Sequence, residues 1–124
     1  MVVQEWMGKA VADDARLWHI TVTVSGSPME PLIVRGALQR FSALRPFLTS
    51  LRFSADRAEI VYWDEAETLV DAASLALRLW NEYRDEAALP SWTVVGLEVV
   101  EQDAWRVRLE PEAGPELAVL PLHL

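Results

Sequence analysis

The chain has 124 residues, 52% of them apolar, with a formal net charge of −8. That length suits one hydrophobic core, and that composition is not one of a disordered tail. The acidic balance argues against nucleic acid, which needs a cationic footprint, and against an anionic membrane surface. There is no cysteine, which removes disulfides, thiolate nucleophiles and cysteine-based zinc sites together. No stretch approaches the ~18 apolar residues of a membrane span. The first fifteen residues carry Glu5, Lys9, Asp13 and Asp14 and lack the order of a signal peptide, so the expected compartment is the cytoplasm.

Residues 1–15 read as an N-terminal arm. Val2, Val3, Trp6, Met7, Ala10 and Val11 fall near helical spacing, which suits a short amphipathic helix as well as a frayed end. Residues 16–109 are expected to form a single domain. Its clearest strand is 16–24, rich in β-branched and aromatic residues. Alternation puts Trp18, Ile20, Val22 and Val24 on a core face and Leu17, His19, Thr21 and Thr23 on a half-wet face. Ser25 to Pro28 breaks the strand. Ser27 and Glu30 have capping-box spacing with Pro28 at the first helical position, although Pro31 offers a second start. The helix runs to about Leu44, with Val34, Ala37, Leu38, Phe41 and Leu44 as its apolar stripe.

Residues 51–56 and 58–63 read as two strands joined at Asp56-Arg57. Asp64, with Glu67 three residues on, caps a helix that runs to about Glu86. Its stripe is Leu69, Ala72, Ala73, Ala76, Leu79, Trp80 and Tyr83. Residues 92–100 form a strand apolar on both faces, and 104–109 a short further strand with Trp105, Val107 and Leu109 on one side. Residues 110–124 are an acidic linker and an apolar tail. The predicted class is therefore α+β: a ferredoxin-like βαββαβ sandwich with an extra C-terminal strand and tail, two helices covering one sheet face.

The expected core set is Trp18, Ile20, Val22, Phe53, Ile60, Tyr62, Val95, Leu97 and Val99. Parity then puts His19, Thr21, Thr23, Arg52, Ser54, Glu59, Val61, Trp63, Val94 and Glu98 on the open face. On that face His19 has the chemistry of an acid/base group, Glu59 or Glu98 that of its orienting partner, and Arg52 that of an anion holder. Trp63 or Trp92 would stack on a planar ligand. The same residues also make a solvated sheet face or a moderately polar dimer interface. That structural reading is preferred, because cross-strand Arg–Glu pairs commonly stabilise such faces.

No metal and no cofactor are expected. The two histidines, His19 and His123, lie far apart in sequence, and neither Asp13-Asp14 nor Asp64-Glu65-Glu67 has the calcium-loop pattern. No Gly-x-Ser-x-Gly elbow occurs, and Ser25-Gly26-Ser27 lacks the Lys-Ser/Thr of a nucleotide loop. Six tryptophans are the distinctive feature. Trp18 and Trp80 fit the core periodicity, while Trp63, Trp92 and Trp105 sit at strand ends or edges, as interface anchors or as seals of the core rim. In the tail, Leu117, Leu120 and Leu122 need covering, by the chain's own sheet or by a neighbour.

At Trp92–Val100, preceded by Leu79, Trp80, Asn81, Glu82, Tyr83 and Pro90, and at Arg57–Trp63, the chain resembles a group of small uncharacterised actinobacterial proteins. The likeness covers residues 16–105. Ten arginines against one lysine suit a high-GC genome. The resemblance implies no activity, cofactor or catalytic residue. The expected role is a non-enzymatic interaction or regulatory module that self-associates, as a dimer, through its sheet face or edge, with a protein partner as a further option. The alternative is a dimeric small-molecule enzyme or sensor in which His19 is the acid/base, Arg52 the anion holder and Trp63 the pocket wall.

Overall fold

A computed structural model describes residues 16–109. The arm 1–15 and the linker and tail 110–124, with Leu117, Leu120 and Leu122, lie outside the described residues. The elements run β1 (Arg16–Ser25), α1 (Pro31–Leu44), β2 (Leu48–Ser54), β3 (Arg57–Ala66), α2 (Leu69–Ala87), β4 (Thr93–Glu101) and α3 (Gln102–Leu109). Among the described residues they make one four-stranded antiparallel sheet in the order β2-β3-β1-β4.

β1 is central and β-branched, and its alternation sets the core. Ile20, Val22 and Val24 are fully buried, as are Ala58 and Ile60 opposite them on β3. α1 covers this face with Val34, Ala37, Leu38 and Phe41, and α2 with Ala72, Ala76, Leu79 and Trp80. Trp80 is almost wholly enclosed, donates its indole N–H to Pro90 O at 3.0 Å, and stacks on Trp92 with an interplanar angle of 2°. Such donors must be satisfied when an indole is buried. α2 ends on Ala88, held at φ 55, whose N–H returns to the last turn.

The expected ferredoxin-like sandwich with an extra C-terminal strand is corrected by this topology. Among the described residues the sheet has four strands in the order β2-β3-β1-β4, three helices accompany it, and residues 102–109 are helix rather than strand. As a strand, this segment would turn Trp105 and Val107 to one side. As a helix it turns Trp105 onto the sheet and leaves Val107 exposed. An Asp103–Arg106 pair at 3.3 Å supports the helix.

Other boundaries shift for local reasons. β3 continues to Ala66 because Arg16 to Trp18 supply partners for Asp64 to Ala66. Thr68, not Asp64, therefore caps α2, its hydroxyl accepting from Asp71 N–H at 3.1 Å. Glu30, not Ser27, caps α1. The β2–β3 hairpin turns at Ala55-Asp56, one residue early, where the backbone N–H groups of Gly26 and Met29 donate to the carbonyls of Asp56 and Ala55. Val95 and Val94 exchange faces, because a bulge opposite Thr23/Val24 inserts one residue into β4. Val94 packs on the core, whereas Val95 is 60% exposed. Phe53 keeps its parity but is 42% exposed on the edge strand β2.

Candidate functional site

The sheet face opposite α1 and α2 carries an organised group built on His19. The register places His19 directly between Trp63 of β3 and Val100 of β4. α3 follows β4 without a loop, so its first turn brings Trp105 back over the strands. Trp105 stacks on the His19 ring at 3.6 Å and 13°, and Trp63 meets that ring edge-on at 4.9 Å. One turn further, Arg108 reaches Glu98 at 3.3 Å and lies 5.3 Å over the Trp105 ring. Two rings and one ion pair thus fasten α3 to the sheet.

His19 is only 6% exposed, and its Nδ1 is buried with no hydrogen-bond partner among the described residues. Burial pushes its pKa below the usual 6.5, because the charged ring would lose water. Glu98 opposes that shift, and Arg108 adds to it. Of the two carboxylates offered as partners for His19, Glu98 is paired with Arg108 and Glu59 with Arg52. In this arrangement the imidazole packs under the Trp105 indole rather than facing an open cleft.

Of the residues named from the sequence, His19, Trp63, Trp105 and Glu98 come together. Arg52 and Glu59 pair with each other at 3.6 Å, opposite Thr23, four residues along β1 from His19. They do not face the imidazole. Trp92 is 2% exposed and belongs to the core, with its indole N–H on Ser27 O at 2.9 Å. Arg108 was missed, although its spacing of three from Trp105 is a helical pairing. Arg45 was missed too. It lies over the Tyr62 ring at 4.8 Å and 3.8 Å from Asp64, where burial raises the Tyr62 pKa far above its usual value.

Among the described residues no three His, Asp or Glu side chains gather into a metal-holding group. No described helix is long and apolar enough to cross a membrane. The described clefts are shallow. One of about 230 Å³ lies beside Arg45, Trp63 and Tyr83, and one of about 390 Å³ beside Met29, Leu89 and Trp92.

No curated protein and no solved structure matches the chain. A family model matches residues 17–116, which takes in the sheet from Leu17 onward, the three described helices and the His19 group. The chain belongs to the family described as Domain of unknown function (DUF8830).

Proposed function

We propose that this domain is a non-enzymatic, cytoplasmic self-association module, and that two copies join through the outer edge of β4. The observation that carries the reading is this edge itself. Among the described residues β4 pairs with β1 on one side only, and it presents Val95 at 60% and Leu97 at 36% exposure. Nine residues of open edge offer about 30 Å of unpaired backbone, a ready template for another strand.

The sequence of β4 suits a twofold antiparallel pairing centred on Leu97. Val95 then stands opposite Val99, and Glu98 opposite Gly96, so no two carboxylates face each other. With −8 on each copy, salt should tighten the pair by screening their mutual repulsion. The burial of His19 under Trp105 also supports a structural rather than a catalytic role.

Sedimentation equilibrium of the full chain tests this. The expected result is a concentration-dependent dimer that Leu97→Lys converts to a folded monomer. A monomer at every concentration, or a dimer indifferent to Leu97→Lys, would overturn it.

A further inference from the structure

The opposite edge of the sheet has a different character. Residues 31–54 contain four arginines and no acidic residue, in a chain of net charge −8. Two of these arginines are engaged internally. Arg40 donates to Ala87 O at 2.7 Å, and Arg45 stands by Asp64. The remaining two, Arg35 and Arg52, flank the exposed ring of Phe53, and Arg52 is held only by its exposed pair with Glu59 at 3.6 Å. A cleft of about 190 Å³ on one side of that ring is walled by Arg35, Leu38 and Leu51. A second, of about 240 Å³, is walled by Arg52, Arg57 and Glu59. Arg35 and Arg57 form no ion pair among the described residues. Among the described residues β2 is an outer strand, so its far edge has open backbone groups as well. Cationic charge, an exposed aromatic ring and a free strand edge meet at one place.

The chain itself contains a segment of complementary chemistry. Residues 110–124 hold Glu110, Glu112 and Glu116, no lysine or arginine, and then Leu117, Val119, Leu120, Leu122 and Leu124. We propose that the cleft between α1 and the outer edge of β2 is the docking site of this chain's own C-terminal segment, residues 110–124. Its glutamates meet Arg35, Arg52 and Arg57, and its leucines cover Phe53. The reach is sufficient. The segment starts after α3, which lies over β1 and β4. Four strands span about 14 Å from β4 to β2, and fifteen extended residues reach up to ~50 Å. Tethering on the same chain supplies a millimolar effective concentration, which favours this docking over capture by a second copy. Pro111, Pro115 and Pro121 are tolerated, because an edge strand leaves half its N–H groups unpaired.

The chain has no cysteine, so His123→Cys gives one site for a nitroxide spin label on the full-length protein. The expected result is that amide signals of Arg35, Leu51 and Phe53 lose more than half their intensity. The loss should fade at about 0.5 M salt and in the exposed double variant Arg35→Glu/Arg52→Glu. Adding Glu112→Arg/Glu116→Arg to that variant should restore it. Mixing spin-labelled unenriched chains with unlabelled ¹⁵N chains should give no broadening at these amides. Broadening spread evenly, centred on β4, indifferent to the arginine variant, or seen only between chains in the mixture would overturn the proposal.

Discussion

Replacing Trp105 by alanine takes the cover off His19, and the structure says how much that should cost. The indole is half-buried and stacked on the imidazole at 3.6 Å. A half-covered tryptophan hides about 100 Å² of apolar surface, and at ~25 cal/mol per Å² that is about 2.5 kcal/mol. The Arg108–Glu98 pair is exposed and adds about 0–1 kcal/mol. Trp105→Ala should therefore lower unfolding stability by about 2.5–3.5 kcal/mol near pH 8. The pH dependence should change with it. In the parent, burial holds the folded His19 pKa below 6.5. The packing of neutral His19 contributes fully above the unfolded value of 6.5, and its contribution is lost as pH falls toward the folded value, since the unfolded chain takes the proton first. In the variant the ring is wet, its pKa returns toward 6.5, and this component of the acid sensitivity disappears. Urea denaturation near pH 8 and pH 5, together with an NMR titration of the imidazole, reads both effects. An unchanged His19 titration in the variant, or an unchanged stability, would refute the account of α3 as a cover.

Two further substitutions test the packing. A Cβ on Gly26 would clash with Cδ1 of Trp92, whose ring is pinned by Ser27 O and by the Trp80 stack. Gly26→Ala should cost about 1–3 kcal/mol in a thermal or urea melt, and a neutral result would mean that Trp92 is not locked. Ala88 sits at φ 55, where an alanine is strained and glycine is not. Ala88→Gly should raise stability by about 0.5–1 kcal/mol, and a loss of that size would show that the strain is absent.

The parts of the fold legible in the sequence are those decided by local pattern. The alternation of Trp18, Ile20, Val22 and Val24 marks the central strand because β1 has a neighbour on each side and one helix-covered face. The alanine and leucine spacing of 72, 76 and 79 marks α2 for the same reason. What local pattern does not carry is the effect of a distant partner. Asp64 looks like a helix cap until Trp18 claims it for the sheet. Val95 looks like a core residue until one inserted position reverses parity upstream of Gly96. Trp105 and Val107 alternate as a strand would, but the segment is a helix because Trp105 finds His19 to stack on. The candidate site was half visible in the same way: parity placed His19, Trp63 and Glu98 on one face. Only the return of α3 explains why that face is closed, and why Arg52 stands apart from it.

The central claim, that β4 pairs with β4 of a second copy, is tested most directly by amide hydrogen exchange measured at low and high protein concentration. Self-association predicts that protection of the outward-facing amides of Thr93–Glu101 rises with concentration while the amides of β2 stay unchanged. Protection of β4 that does not depend on concentration, or a rise confined to β2, would contradict it.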